Sequence, residues 1–292
     1  MFNGLYTAII TPFLADGQFD APAFSRICKQ QIDAGVDGIV VLGTTGESPT
    51  VSHSECEMIM AKAVEIIKGQ TTVIAGTGSN CTREAIELSR SAEKVGIDAL
   101  LSVTPYYNKP SQDGMFQHFS AIADSVNIPI ILYNIQGRCG VNLETKTLLR
   151  LAKHPNIVAV KEASGNMAQI KDVINSVPDY FSVLSGDDNL TLDIMRMGGN
   201  GVISVLSNVL PKPMKALVNT ANAKDWQQAQ ILHDQMTNLF SDCFIEPNPQ
   251  PIKTLMAEMG LCAPIFRLPM VEMSAQNKQK ILASWSAYQH DA

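Results

Sequence analysis

Lys161 has the sequence setting of a lysine that could act as a nucleophile. It directly follows the apolar run 157–160, so its side chain should leave a buried strand. Lysine is seldom fully buried without a partner or a function, and burial lowers its pKa by disfavouring the ammonium form. The neutral amine that results can attack a carbonyl carbon. The alternatives are a solvated lysine and one that is paired with Glu162.

Tyr133 closes the preceding apolar run, 129–133, and could carry protons for such an amine. Neighbouring strands lie about 4.8 Å apart, so a phenol at this position can reach the groups around Lys161. A Schiff base forms through carbinolamine steps that need a proton donor and acceptor, and a tyrosine linked to hydroxyls can fill that role. The alternative is a core tyrosine whose hydroxyl is satisfied elsewhere.

Two further segments could bind carboxylates. The turn 43–46 reads Gly-Thr-Thr-Gly, in which glycines let backbone N–H groups converge on an anion and Thr44 and Thr45 add hydroxyls. Arg138, in the loop just beyond Tyr133, could bind a second carboxylate bidentately through two N–H groups of its guanidinium group. Taken singly, each segment also fits an ordinary turn or a surface arginine.

The elements that must position these residues follow a regular alternation. Short apolar runs end in Gly, Thr, Ser or Asn, and a helical stretch follows each of them; Ser52 and Glu55 form a capping box that predicts one helix start. The runs are apolar throughout, which is typical of parallel strands covered on both faces. The eight runs are 6–10, 38–42, 72–75, 99–103, 129–133, 157–160, 181–184 and 201–205.

This alternation predicts an α/β fold, a (β/α)8 TIM barrel with a C-terminal helical extension. We expect a catalytic barrel over residues 1–223 and a helical domain over 224–292, where helical stretches follow one another without strands. A doubly wound open sheet is the alternative, but it would normally carry a Gly-rich fingerprint after its first strand. In a TIM barrel the strands' carboxyl ends form the site, and the candidate residues lie at those ends.

Composition and motifs limit the classes of function. The 292 residues are 46% hydrophobic and carry a formal charge of −6, which argues against disorder and against nucleic acid or an anionic membrane as the main partner. We expect no metal, no nucleotide cofactor and no membrane span or signal peptide, since their motifs are missing. Six scattered cysteines without a CxxC pair suggest reduced thiols in a cytoplasmic protein.

With these residues in hand, the chain resembles the dihydrodipicolinate synthase family, within the class I aldolase-like pyruvate lyases. The resemblance covers nearly the whole chain and rests on several motifs together. These are Gly-Thr-Thr-Gly-Glu-Ser at 43–48, Ala-Gly-Thr-Gly at 75–78, Pro-Tyr-Tyr-Asn-Lys-Pro at 105–110, Tyr-Asn at 133–134 with Gly-Arg-Cys-Gly at 137–140, Val-Lys-Glu-Ala-Ser-Gly at 160–165, Ser-Gly-Asp-Asp at 185–188, and Glu-Pro-Asn-Pro at 246–249 with Pro-Ile-Lys at 251–253.

The resemblance implies a lyase that uses no cofactor. It would condense pyruvate with L-aspartate 4-semialdehyde, early in diaminopimelate and L-lysine biosynthesis, as a homotetramer built from two dimers. Lys161 matches the lysine that forms the imine with pyruvate, and Tyr133 matches the proton donor and acceptor. Thr44 matches the relay threonine, and Tyr107 matches a tyrosine contributed across the tight dimer interface.

The resemblance also implies substrate contacts. Thr45 and the backbone at Ile203 match contacts with pyruvate, and Arg138 matches the residue that receives the semialdehyde carboxylate. Relatives that cleave longer sugar acids share the lysine and tyrosine but differ at this arginine, so an aldolase of that kind is the alternative in the same class. A barrel that only binds a small carboxylate is the alternative in another class, and it would form no imine.

A last implication concerns regulation by L-lysine. Family members that respond to lysine carry an effector pocket at the tight dimer interface, and Glu84 could pair with the ammonium groups of the effector. Cys56 departs from the pattern, since some members have a second histidine there, and Pro49 departs from it as well. The expected pocket residues are Ser48, Pro49, His53, Asn80, Glu84 and Tyr106.

Overall fold

The chain folds into a closed barrel of eight parallel strands in a computed structural model that describes residues 1–291. The strands follow one another around the barrel in chain order, and the last strand pairs with the first. The predicted TIM barrel is therefore confirmed. The strands are β1 (Gly4–Ala8), β2 (Gly38–Val41), β3 (Thr72–Gly76), β4 (Ala99–Val103), β5 (Ile130–Asn134), β6 (Ile157–Glu162), β7 (Ser182–Ser185) and β8 (Gly201–Ser204).

The strands are almost entirely buried on both faces, which is why their sequences are mostly apolar. Side chains that point inward form a compact core in the barrel, among them Ile74, Ile131 and Leu184. Side chains that point outward join a larger core beneath the surrounding helices, among them Val73 and Leu132. Tyr133 belongs to the inner set, so the fold directs this candidate residue into the barrel.

Residues 1–291 form twelve α-helices that surround and extend the barrel. The predicted capping box is confirmed: Ser52 caps the second helix and Glu55 bonds back to the Ser52 backbone. The helices are α1 (Ala21–Asp33), α2 (His53–Ile67), α3 (Thr82–Val95), α4 (Gln112–Ala123), α5 (Gln136–Cys139), α6 (Thr145–Leu151), α7 (Met167–Ser176), α8 (Thr191–Arg196), α9 (Pro211–Asn222), α10 (Trp226–Asp242), α11 (Gln250–Glu258) and α12 (Ala275–Asp291).

The strand bounds differ from the apolar runs by a few residues, and the first strand shows why. The run at 6–10 predicted a strand there, whereas β1 ends at Ala8. Ile9 and Ile10 remain almost fully buried, so they stay apolar after the strand has ended. The Ile10 N–H donates to Asn208 Oδ1 rather than to a strand partner. An apolar run indicates which residues are buried, and a residue can be buried without pairing in a strand.

The helical extension packs against the barrel's final helix. Helix α10 contacts α9, α12 contacts α10, and α11 contacts the short turn 206–208 that follows β8. The predicted boundary at 223/224 falls in the turn between α9 and α10, and the division into two domains there stays a prediction. Among residues 1–291, no helix combines the length and the apolar character that crossing a bilayer would need.

Candidate active site

Tyr133 and Lys161 lie side by side at the top of the barrel. They are direct register partners on β5 and β6. Lys161 is 5% exposed and its Nζ lies 4.3 Å from the centroid of the Tyr133 ring. Strand pairing thus places the candidate nucleophile against the candidate proton carrier, as the sequence predicts.

The setting of Lys161 favours the neutral amine. Burial lowers the pKa of Lys161 to about 8, and the Arg138 guanidinium adds to this effect. The carboxylates of Asp188 and Asp187 act in the opposite direction, but they do not cancel the effect of burial. A pKa near 8 leaves an appreciable fraction of the amine unprotonated close to neutral pH, which a Schiff-base nucleophile requires.

The alternative pairing of Lys161 with Glu162 is wrong. Glu162 points away from the barrel interior. On the outer side of β6 its carboxylate accepts hydrogen bonds from Asn134 Nδ2 at 3.2 Å and from the Ser164 N–H at 2.8 Å. Within residues 1–291, Lys161 takes part in no ion pair. Successive residues of a strand face opposite sides, and this separates the two side chains.

Gly186 leaves the space that the Lys161 side chain occupies. A Cβ atom at position 186 would lie 2.9 Å from Lys161 Cε and 2.7 Å from Ala163 Cβ. These separations are shorter than van der Waals contact, so only glycine fits here without a shift of the lysine. The turn after β7 therefore helps to set the direction of the amine.

Tyr133 is a buried phenol that keeps its proton at ordinary pH. Burial raises its pKa well above the usual value, while the Arg138 guanidinium and the side chain of Thr44 act in the lowering direction. A phenol of this kind can exchange a proton with a neighbouring hydroxyl without becoming a stable phenolate. Thr44 lies in the turn after β2 and is the residue that the family resemblance implies for this role.

Thr45 and Arg138, the two candidate carboxylate-binding residues, both contact Asn248. Thr45 is buried and its Oγ1 accepts a hydrogen bond from Asn248 Nδ2 at 2.9 Å. Arg138 donates from Nη2 to the backbone carbonyl of Asn248 at 3.2 Å. Asn248 belongs to one of the sequence motifs, but no role was predicted for it; its burial and side-chain contact become visible only in the folded chain.

Ile203 lies on β8, which pairs with β7 and β1 in the barrel. It is a fully buried residue of β8, in register with Tyr6 of β1. Its side chain belongs to the apolar core inside the barrel. The predicted contact with pyruvate concerns its backbone, and it stays a prediction.

A cavity of about 380 Å³ opens beside Tyr133, Thr44 and Arg138. It runs past Cys139 and continues to the side chains expected of an effector pocket. Lys161, Thr45 and Ile203 lie outside its lining, whereas Tyr133, whose ring centroid lies 4.3 Å from Lys161 Nζ, is part of it. The expected pocket residues that line the cavity are Ser48, Pro49, His53, Glu84 and Tyr106.

Glu84 is the charged centre of that part of the cavity. Its carboxylate contacts His53 Nε2 at 2.9 Å and accepts a hydrogen bond from Ser79 Oγ. The Ser79 hydrogen bond, with a smaller effect of His53, holds the pKa of Glu84 below its ordinary value. Asn80 does not line the cavity; its backbone carbonyl accepts a hydrogen bond from Asn108 Nδ2 at 2.9 Å.

Tyr107 stands apart from the other candidate residues. Its side chain is 89% exposed and it does not line the cavity. Its backbone adopts a positive φ of 71°, which is uncommon for a residue with a large side chain. A single chain therefore leaves Tyr107 on the surface, away from Tyr133 and Thr44.

A buried ion pair below the Thr44–Thr45 turn was not predicted. Lys253 Nζ contacts Glu47 Oε1 at 2.6 Å, and the two side chains are 0% and 1% exposed. Sequence spacing cannot reveal a contact between residues 206 positions apart. Among residues 1–291, no three His, Cys, Asp or Glu side chains come together in a way that could hold a metal ion.

Comparison with known proteins places this chain in a family. A model of the Dihydrodipicolinate synthetase family matches residues 1–287. The 4-hydroxy-tetrahydrodipicolinate synthase of Syntrophotalea carbinolica is 47% identical over 288 residues, which are 99% of this chain and 98% of the relative.

Two solved structures resemble the fold over almost its full length. The dihydrodipicolinate synthase of Acinetobacter baumannii, complexed with pyruvate, superposes with a TM-score of 0.97 at 40% identity, covering 99% of both chains. The DHDPS of Cyanidioschyzon merolae with lysine bound superposes with a TM-score of 0.95 at 37% identity, covering 99% of this chain and 98% of the other. The chain belongs to the dihydrodipicolinate synthetase family.

Proposed function

We propose that this protein is a 4-hydroxy-tetrahydrodipicolinate synthase, a lyase that condenses pyruvate with L-aspartate 4-semialdehyde through a Schiff base in diaminopimelate and L-lysine biosynthesis. The observation that carries the proposal is the buried amine of Lys161, with its lowered pKa, held against the Tyr133 ring at 4.3 Å. The names of the relatives support the same reaction.

In the first step the neutral amine of Lys161 attacks the keto carbon of pyruvate. The carbinolamine loses water, for which Tyr133 supplies a proton to the departing hydroxyl, and a protonated imine remains. Thr44 passes protons to and from Tyr133, consistent with the effect of its side chain on the pKa of Tyr133. Thr45 and the backbone of Ile203 hold the carboxylate of pyruvate.

In the second step the imine withdraws electrons from the methyl group of pyruvate, which loses a proton and becomes an enamine. The enamine carbon forms a bond to the aldehyde carbon of the semialdehyde, whose oxygen takes up a proton. Arg138 receives the carboxylate of this second substrate. The amine of the semialdehyde then adds to the imine carbon, closes the ring and releases Lys161.

Reduction with borohydride in the presence of pyruvate tests the first step. We expect a reduced pyruvate adduct on Lys161, located by mass spectrometry of peptides. Lys253 provides an internal control, because it is also buried but forms an ion pair with Glu47. It should carry no adduct. Failure to trap an adduct on Lys161 would favour the barrel that only binds a carboxylate.

A coupled assay tests the second substrate. The proposed enzyme turns over with aspartate semialdehyde and not with aldehydes derived from sugars. Arg138→Ala should weaken the use of the semialdehyde while still allowing the imine to be trapped above the pKa of Lys161, since the semialdehyde carboxylate enters only after the imine has formed. Preference for a sugar-derived aldehyde would instead indicate a sugar-acid aldolase.

We also propose that L-lysine inhibits the enzyme by binding near Glu84. The supporting observation is the continuous cavity that joins His53 and Glu84 to Tyr133 and Arg138, in which a carboxylate could receive the ammonium groups of an effector. The relative that was solved with lysine bound supports the binding of lysine by this fold. Initial rates that stay flat while lysine is raised into the millimolar range would contradict it.

The oligomeric state and the cellular location belong to the same proposal. We expect a cytoplasmic homotetramer, a dimer of dimers, in which Tyr107 of one subunit completes the proton relay of its neighbour. The 89% exposure of Tyr107 in the single chain supports a role at an interface. Analytical ultracentrifugation tests the assembly, and Tyr107→Phe with unchanged kinetics would count against the shared relay.

A further inference from the structure

The side chain of Asn248 makes its hydrogen bond with a candidate substrate contact. Asn248 lies just before α11, is 5% exposed, and donates from Nδ2 to Thr45 Oγ1 at 2.9 Å. Its Oδ1 atom is buried and has no hydrogen-bond partner within residues 1–291. Among the hydrogen bonds of that part of the chain, the contact with Thr45 is the only one made by this amide.

The direction of this hydrogen bond decides what Thr45 can offer a substrate. A threonine hydroxyl has one hydrogen to donate and two lone pairs that accept. Because the amide of Asn248 donates to Thr45 Oγ1, the hydroxyl hydrogen of Thr45 remains available. A carboxylate can only accept hydrogen bonds, so this is the orientation that a keto acid needs.

The backbone of the same residue contacts the second candidate anion binder. The carbonyl oxygen of Asn248 accepts from Arg138 Nη2 at 3.2 Å. This contact uses one of the five N–H donors of the guanidinium group and leaves the others for a ligand. Asn248 therefore connects the turn after β2, which carries Thr45, with the short helix α5, which carries Arg138 where the sequence predicted a loop.

A second buried contact fixes the segment that carries Asn248. Lys253, in α11, donates to Glu47 Oε1 at 2.6 Å and to the carbonyl oxygen of Thr11 at 2.9 Å. Glu47 lies two residues beyond Thr45, and both ends of this ion pair are almost fully buried. The start of α11 and the Thr45 turn are thus joined twice, so Asn248 has little freedom to move relative to Thr45.

We infer that Asn248 is a positioning residue, whose amide directs the Thr45 hydroxyl hydrogen towards the carboxylate of the keto acid and whose carbonyl holds Arg138 beside the cavity. The inference rests on the proposed function. The helical extension thereby supplies a specificity determinant for the first substrate, at a site otherwise formed by the barrel.

Asn248→Asp tests the inference with a nearly isosteric change. An ionised carboxylate cannot donate, so the Thr45 hydroxyl would turn to donate to the introduced carboxylate and lose its hydrogen for pyruvate. We expect KM for pyruvate to rise roughly tenfold or more, the scale of one hydrogen bond to a charged group. The KM for the semialdehyde should change less, because the backbone carbonyl that Arg138 uses is retained.

A double-mutant cycle with Thr45→Val separates positioning from a general loss of structure. If Asn248 acts through the Thr45 hydroxyl, Asn248→Asp adds no further rise in KM once that hydroxyl is absent. Effects that multiply in the double mutant would overturn the inference. Should Asn248→Asp fail to fold, Asn248→Ala takes its place in the same cycle, with the same two outcomes.

Two controls complete the test. Asn219→Asp places the same new charge on the exposed face of α9, and it should leave KM for pyruvate unchanged. Borohydride trapping at saturating pyruvate is measured for every variant. If the wild type traps no imine, the proposed function fails; if the wild type traps it and Asn248→Asp keeps the wild-type KM, only the role of Asn248 fails.

Discussion

Lys253 and Glu47 form an ion pair at 2.6 Å in which both side chains are closed off from solvent. Burial lowers the pKa of Lys253, while the charge of Glu47 acts against this. Lys161 differs from Lys253 in this respect. Both lysines are buried, but of the two only Lys253 has a carboxylate partner within residues 1–291. One amine is paired with a carboxylate and joins two segments, and the other has no such partner.

Removal of one partner from this pair should destabilise the fold. We expect Lys253→Met to lower the free energy of unfolding by about 3–5 kcal/mol, because it leaves the Glu47 carboxylate buried and unpaired. Lys62→Met, which breaks an ion pair of 2.7 Å on the surface of α2, is the matched control and should cost less than about 1 kcal/mol. Urea unfolding measures both, and equal losses would contradict the argument.

The rate of imine formation should depend on the protonation of Lys161. Its pKa of about 8 means that the reactive neutral amine is depleted below that pH, about tenfold for each further pH unit, and dominates above it. Quenched-flow trapping with borohydride should therefore show a rate that rises with pH and levels off above about 8. A midpoint near 10.5, the ordinary pKa of a lysine side chain, would contradict the effect of burial.

The charge of Arg138 should shift that pH profile. Arg138 lowers the pKa of Lys161, so Arg138→Met should move the midpoint of imine formation to higher pH. Arg26→Met removes the same charge from the exposed side of α1 and serves as the comparison, with an unchanged midpoint. Identical shifts in both variants would mean that net charge, and not proximity, sets the midpoint.

Tyr133→Phe should keep the ring beside Lys161 and remove the proton carrier. We expect turnover to fall by roughly 10²–10⁴, the usual contribution of a positioned acid or base, with a thermal midpoint close to that of the wild type. The coupled assay and a melting curve provide the two measurements. Wild-type turnover in this variant would show that another group moves the protons.

Gly186→Ala should disturb the direction of the amine. The added Cβ would meet Lys161 Cε at 2.9 Å, and displacement of a reacting group by about 1 Å can cost roughly a hundredfold in rate. Gly137→Ala meets no atom within 4 Å and should form the imine at the wild-type rate. Trapping kinetics for the two variants decide whether space at position 186 matters.

Glu84→Gln should weaken the response to lysine. The loss of a charge-assisted hydrogen bond is expected to raise the inhibition constant by about tenfold or more, measured as the ratio of rates with and without lysine in each variant. Glu87→Gln, further along α3 and 62% exposed, is the control and should respond as the wild type does. An unaltered response in Glu84→Gln would place the effector elsewhere.

The hydrophobic pattern of the chain was sufficient to predict the barrel and to predict that its reactive residues lie close together. Eight apolar runs predicted eight strands, and the rule that parallel strands bring their carboxyl ends together placed Tyr133 and Lys161 at one rim. Strand bounds were less accurate, as Ile9 and Ile10 show, because burial continues after pairing has ended. The pairing of Lys161 with Glu162 was a wrong alternative, and strand alternation excludes it.

What the sequence determined by itself is local and periodic: the strands, the helices, the capping box at Ser52, and the residue types at the strand ends. What only the tertiary structure decided is which distant residues meet. The contacts of Asn248 with Thr45 and of Lys253 with Glu47 join residues 203 and 206 positions apart. Hydrophobic periodicity has no signal at such separations, because these contacts form only when the extension packs against the closed barrel and buries their polar groups together.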